Sequence, residues 1–476
     1  MKGKTTMRKL LAAVLAGTMI FSMAACGSTG EDEAAGAADA GDDAAVETST
    51  PDDVEVAGNA DASQKLVLWT MAADMQQFAD KYCETHPDVA IEVVVTAPAD
   101  YPTKVQNALR SGAKDPDIVC AEPQSIQTFI EAGFFEDLNQ EPYNAQQYAE
   151  NVVPYVWAAG QDSEGIQRCI SYQITPSAIF YRRDIAEAVY GTSDPDVIAE
   201  KFATYDAVLT TGQEMKDAGY RVFASTGELG YFAGNEPWIV DGKLNLSQSR
   251  LDQMDTAIEL YNQDLTCYVD TWSTTWYQAM NGPIPLVGDE VNMWDDEEVA
   301  EAAVGADETE VFAFGLPSWG VLTLRDNAPD NSGKWGVCQG PTYTFSGGTF
   351  LGINPNSEDK ELAWDFITFC TTNEETLDWW IETSEGDVVS WLPSIEKHKD
   401  DENEYYGNQK LYELFLGLAE HIDYTNVTPM DTECNDLWNA AIGSIQRGEM
   451  SREDAINNFY DQIESTYPDI TVERPE

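Results

Sequence analysis

Short apolar runs alternate with helical periods over the first third of the folded chain. Leu66-Val67-Leu68-Trp69 reads as a buried strand, Met75, Phe78 and Tyr82 recur at helical spacing, and residues 91–95 form a second strand. Val105 and Leu109 mark another helix before the strand Asp117-Ile118-Val119-Cys120. Ile126, Phe129 and Ile130 open the next helix, which stops near Gly133. Strands alternating with helices of this length predict an α/β fold with a parallel sheet and right-handed crossovers. Ligands of such sheets bind at the carboxyl ends of the strands, which singles out residues 69–74 and 120–124.

The pattern continues further along. Residues 177–181 form a strand ending in Arg182-Arg183-Asp184, and residues 349–353 form another behind Gly347-Gly348. An amphipathic helix with Leu362, Phe366, Ile367 and Phe369 follows, with Glu358 and Asp359 expected in its first turn, where acids favour the helix dipole. Thr372 and Glu375 read as a capping box opening another helix. Leu437, Trp438, Ala441, Ile442 and Ile445, then Ala455, Phe459 and Ile463, predict a final helix pair.

The N-terminus is different. Lys2, Lys4, Arg8 and Lys9 precede an uncharged stretch over residues 10–23, then Ala24-Ala25-Cys26. A run this short does not span a bilayer, which takes about 20 apolar residues, and it fits an export signal closing on small residues. A cysteine straight after Ala-Ala is the sulfur that a bacterial lipoprotein has acylated, so residues 1–25 read as a lipoprotein signal and Cys26 as the lipidated residue. Residues 26–62 hold eleven acids and no Lys, Arg or aromatic residue. Such a segment buries too little apolar surface to offset ordering entropy and reads as a disordered, acidic spacer.

Composition then sets bounds. The 414 residues beyond the spacer are too many for one compact core and predict two domains. The net charge of −58 becomes about −62 once the signal is removed, a surface that repels phosphate backbones, so nucleic acid is excluded as a partner. Seven cysteines remain after Cys26, an odd number with no C-x-x-C, and they read mainly as small core hydrophobes, with one or two disulfides open. Three scattered histidines leave little for metal or triad chemistry, and no cofactor is expected.

Several segments resemble one family when taken in order. Lys65-Leu66-Val67-Leu68-Trp69, Asp115-Pro116-Asp117-Ile118 and Gly133-Phe134-Phe135-Glu136-Asp137-Leu138 resemble the N-terminal lobe of family 1 extracellular solute-binding proteins, the maltodextrin-binding type that feeds ABC importers. Ala178-Ile179-Phe180-Tyr181-Arg182-Arg183-Asp184 is similar to its entry into the second lobe, although Asn-Lys is commoner where this chain has Arg182-Arg183. Ser346-Gly347-Gly348-Thr349-Phe350-Leu351-Gly352-Ile353-Asn354 is the strongest match, and Asn281-Gly282-Pro283 departs from the family's Asn-Gly-Pro-Trp in having Ile284. The resemblance implies a two-lobed, periplasmic-binding-protein-like fold of type II. Residues 63–173 with 346–391 would form one lobe and residues 174–345 with 392–476 the other, closing by a hinge around the ligand.

A pyranose has an apolar C–H face and polar edges, so its site needs aromatic platforms and hydrogen-bonding side chains. Resemblance and strand-end logic together place Trp69, Glu122, Tyr172, Glu228, Trp238, Asp289, Trp294, Tyr343, Ser346, Gly347 and Trp391 in the cleft. Glu122 and Glu228 are the carboxylates expected to accept sugar hydroxyls, with Asp74 and Asp289 as alternatives. Each has a bland competitor: a Trp at a strand end packs as often as it stacks, Glu228 sits in a glycine-flanked loop, and Gly347-Gly348 serves as a turn of positive φ. Trp364, Trp379, Trp438 and the pair Trp272 and Trp276 read as core. The expectation is therefore a lipid-anchored, monomeric receptor, not an enzyme, that hands a carbohydrate, in first place an oligosaccharide, to ABC permease subunits on the outer face of the cell membrane. A binding protein for a peptide or polyamine is the alternative, and a secreted glycoside hydrolase a remoter one, since it would need two carboxylates at set spacing.

Overall fold

The computed structural model describes residues 52–233, 236–424 and 427–474. The stretch read as an export signal, Cys26 and the expected spacer as far as residue 51 lie outside them. Six strands form the first sheet: β1 (Asp53–Gly58), β2 (Gln64–Thr70), β3 (Val89–Val95), β4 (Ile118–Ala121), β5 (Cys169–Ser171) and, from late in the chain, β9 (Phe350–Ile353). Their order is β1-β3-β2-β4-β9-β5. β2 pairs in parallel with β3 and β4, joined through helices α1 (Met75–Thr85) and α2 (Tyr101–Arg110), as the alternating pattern requires. β9 returns antiparallel between β4 and β5, so the sheet is mixed rather than wholly parallel.

β1 corrects the expectation of a disordered spacer running to residue 62. Asp53 to Gly58 pair in antiparallel register with β3, from Asp53 opposite Val95 to Gly58 opposite Ala90. Val54 and Val56 stay about half exposed, so the strand is held by its backbone ladder more than by burial. Composition argues from burial and misses this, because an edge strand needs chiefly a free row of backbone partners.

The second sheet has the order β7 (Ala313–Pro317), β6 (Ser177–Arg182), β8 (Trp335–Cys338), all antiparallel. Its side chains alternate between two cores. Phe180, Phe314, Leu316, Trp335 and Val337 join the apolar cluster of the first sheet, whereas Ile179, Tyr181, Ala313 and Cys338 join a second cluster with Trp238, Trp438 and Phe459. Three segments cross between the sheets and pair with one another. Gln173 bridges Val389, Pro176 bridges Phe345, and the Ser346 N–H donates to the Thr175 carbonyl.

Helix α3 (Pro123–Glu131) follows β4, α4 (Lys360–Thr371) follows β9, and α5 (Glu374–Ser384) comes next. Asp359 holds the N-cap position of α4 without a side-chain capping bond, so Glu361, not Glu358 or Asp359, occupies its first turn. The expected Thr372 capping box is displaced by one residue: the Asn373 side chain accepts from the Thr376 N–H. The final pair is α6 (Met430–Gln446) and α7 (Arg452–Thr466). Cys83, Cys120, Cys169, Cys267, Cys338, Cys370 and Cys434 are buried and unpaired.

Candidate functional site

The carboxyl ends of β2 and β4 face the second sheet across the crossing segments. A cavity of about 190 Å³ opens there, with Gln124 from α3 on one side, Ser346 at the crossing, and Trp238, Arg250, Thr432 and Asp436 on the other. One direct bond spans it, from the Thr432 hydroxyl to the Gln124 carbonyl at 2.8 Å.

Two carboxylates, Glu122 and Asp74, stand behind the first-lobe wall that Pro123 and Gln124 line. Glu122 ends β4 and precedes α3, half-buried, and its Oε2 accepts from the Gln124 amide at 2.6 Å. Burial raises its pKa and the neighbouring Asp74 adds to the rise, against the Gln124 bond. Asp74 is raised by burial too, and accepts the Tyr172 hydroxyl at 2.6 Å. Tyr172 itself is fully buried, with its ring 4.8 Å from that of Phe78, so it supports the wall from behind instead of lining it.

The second-lobe wall is built on a stack. The Arg250 guanidinium lies 3.7 Å from the Trp238 ring centroid, with Trp438 and Phe459 packed against the same indole. Trp238 donates its indole N–H to Asn435 and its backbone N–H to Asp431. Asp431 and Asn435 sit one turn apart on α6, a spacing that puts both on one face. Arg250 is 1 % exposed, and desolvation lowers its pKa to about 10 while Glu236 and Asp431 hold it up. Its Nη atoms donate to the Asn245 and Glu236 carbonyls, and its Nε–H has no partner. Trp319 and Tyr231, both half-buried, meet edge to face beside the crossing, and the Trp319 indole donates to the Ser346 carbonyl at 3.0 Å. Gly347 takes φ +84°, and a Cβ there would lie 2.9 Å from the Trp319 nitrogen, so glycine is required on both counts.

Several sequence expectations are corrected by this geometry. Glu228 is fully buried: its carboxyl accepts from the Trp276 indole, the Ser225 N–H and the Gly315 N–H, which leaves nothing for a ligand. Desolvation pushes its pKa up to about 8. Trp69 has one face taken by the Lys104 ammonium, 4.1 Å from its centroid. The Trp391 ring packs against that of Tyr148, and its backbone bridges Val152. Asp289 is exposed and accepts the Tyr261 hydroxyl, and Trp294 is 44 % exposed on a surface loop. Tyr343 is exposed with its ring 4.4 Å from His421. Trp272, at φ +75° ahead of the helix Thr274–Asn281, and Trp276 within that helix pack their rings 4.9 Å apart in the core, as expected of them. Of the expected residues, Trp238 and Ser346 line the cavity and Glu122 borders it through Gln124. Gln124 falls within the strand-end stretch 120–124 singled out above, whereas Arg250, Thr432 and Asp436 escaped the sequence; only the Asp431–Asn435 spacing on a helix was there to be seen.

The profile of bacterial extracellular solute-binding proteins matches residues 69–376. The chain belongs to that family. A lactose-binding protein of Rhizobium radiobacter is 23 % identical over 403 residues, covering 79 % of this chain and 86 % of its own length. Among solved structures, a family 1 extracellular solute-binding protein superposes with a TM-score of 0.67 at 20 % identity, over 84 % of this chain and 99 % of that one. An ABC-transporter-associated binding protein of B. animalis subsp. lactis Bl-04, in complex with β-1,6-galactobiose, gives 0.64 at 19 % identity, over 86 % and 99 %. These solute-binding proteins share the two-lobed architecture, and the cavity lies between the two lobes of this member.

Proposed function

We propose that this protein is the lipid-anchored substrate-binding component of an ABC importer, acylated at Cys26, and that it carries a carbohydrate in the interlobe cleft without transforming it. The lobes are residues 63–173 with 346–391 and 174–345 with 392–476, the first extended by β1. The observation that carries this is a cavity rimmed by amide, hydroxyl and carboxylate groups, with Gln124 on one side, Ser346 at the crossing, and Thr432, Asn435 and Asp436 on the other. A hydroxyl accepts from an amide N–H and donates to a carboxylate, so a polyol satisfies both kinds of group at once. Trp319 and Tyr231 supply the ring platform beside the crossing. The sugar ligands of the two sugar-binding relatives support the same class, with β-galactosides the first to try and longer oligosaccharides next.

Calorimetry on the mature chain with lactose, β-1,6-galactobiose and a wider glycan panel is the test. Saturable binding is expected, with no turnover of any glycan. Silence across the panel rejects the carbohydrate, and hydrolysis rejects the pure receptor. The carboxylates Asp74, Glu122 and Asp436 around the cleft favour one other ligand, a polyamine or basic peptide, and spermidine binding in place of sugars would install it. For the anchor, Cys26→Ser is expected to release the protein from the membrane fraction of a producing cell. The mature chain is expected to sediment as a monomer.

A further inference from the structure

β1 reverses the end at which the chain joins the first lobe. Because it runs antiparallel to β3, the chain enters at the Asp53–Val95 pair, beside the carboxyl end of β3 that faces the cleft, and reaches the Gly58–Ala90 pair at the far end. β2 starts at that same far end, with Gln64 opposite Val89. A chain entering directly at β2 would arrive remote from the cleft. β1 carries the entry point back across the sheet, about 20 Å for six residues.

Both ends of this strand are pinned. Asp52 accepts from the Thr96 hydroxyl and the Lys104 ammonium, each at 2.8 Å, and the same ammonium bonds Thr96 and sits over the Trp69 ring. At the far end Gly58 takes φ +79°, and a Cβ there would lie 2.7 Å from the Val89 carbonyl oxygen. Ala57 beside it is fully buried. The pins at Asp52 and Lys104 therefore lie at the cleft-facing rim, where the preceding chain departs.

We infer that β1 is an anchoring strap, which makes the tether leave from the cleft-facing rim of the first lobe and so brings that rim, on average, nearer the bilayer than the far end of the sheet. This rests on the tethered-receptor reading above. The rim so placed borders the cleft from which an importer embedded in that bilayer would take the solute.

The test separates the strap from the natural lipid. The mature chain, with a hexahistidine tag in place of Cys26, is bound to vesicles carrying nickel-chelating lipid and an acceptor dye. A donor dye is placed either at Ala99→Cys, exposed after β3, or at Asp88→Cys, exposed before it. These positions are separated by roughly the length of β3, about 23 Å; the seven native cysteines from Cys83 onward are buried. Greater energy transfer is expected from position 99 than from position 88. Glu55→Pro with Val56→Pro, consecutive prolines that cannot both avoid the ladder, should invert that order while leaving the unfolding temperature within a few degrees. Lys104→Ala should narrow the difference. Equal transfer from both positions in the unaltered strap, or an order that survives the prolines, overturns the inference. Unchanged membrane retention of Cys26→Ser in cells would instead sink only the lipid anchor.

Discussion

Glu122 and Glu228 stand on opposite sides of the cleft, and the same residue type meets opposite fates there. Glu122 follows a strand of the first lobe, half-buried, with a single side-chain donor from Gln124. Glu228 closes a capping box with Ser225 inside the second lobe and is enclosed by three N–H donors. A carboxylate at a strand end keeps bonding capacity for a ligand; one whose oxygens are spent on the scaffold holds the scaffold. The walls differ too: the first brings Gln124 to the cavity with Glu122 behind it, and the second brings Asp431 and Asp436 beside a buried cation stacked on an indole.

The sharpest break in that comparison is Glu228→Ala. It orphans three buried N–H groups at about 1–3 kcal/mol each, so a loss of at least about 3 kcal/mol in denaturant unfolding is expected. A loss under about 1 kcal/mol would mean the enclosure is not what holds this turn. Glu228 also makes stability depend on pH. Its folded pKa of about 8 lies above the ordinary 4.5, so the folded state binds the extra proton between those values. Stability contributed by that proton is present below about pH 4.5 and is lost as pH rises toward 8, with a slope of at most about 1.4 kcal/mol per pH unit. Glu228→Gln should flatten that slope in unfolding curves taken from pH 5 to 8.

Next in size is Glu122→Gln. Sugar affinity measured by calorimetry should fall about tenfold or more, as one charge-assisted bond is worth about 1.5–3 kcal/mol, with stability nearly unchanged. An equal loss of affinity and stability would erase the distinction between the two glutamates. Thr432→Val removes the bond across the cleft to Gln124 and should weaken binding about threefold to tenfold, at roughly 0.5–1.5 kcal/mol per hydrogen bond. The smallest effect is expected of Trp294→Ala, less than about twofold in affinity by titration. A larger one would return that ring to the site.

Much of the first lobe was legible in the chain. The runs at residues 66–69, 91–95 and 118–120 became β2, β3 and β4, and the helical periods between them became α1 and α2. Such runs are local, and a strand buried on both faces must be apolar throughout. The second lobe was less legible: its sheet draws strands from residues 177–182, 313–317 and 335–338, and nothing local announces which distant segments pair. Trp238 shows the same limit. An aromatic near a cleft was foreseeable; that Arg250, Trp438 and Phe459 would occupy its faces was not, because each comes from a separate helix.

By itself the sequence determined the α/β class, the order of the main elements and membership of the solute-binding family. These follow from periodicity and from segments read in order. Only the tertiary structure decided which carboxylate is free and which is enclosed, and that part of the acidic leader is a strand. Burial and pairing are properties of what surrounds a residue, and for Glu228 and β1 the surroundings come from the far side of the fold.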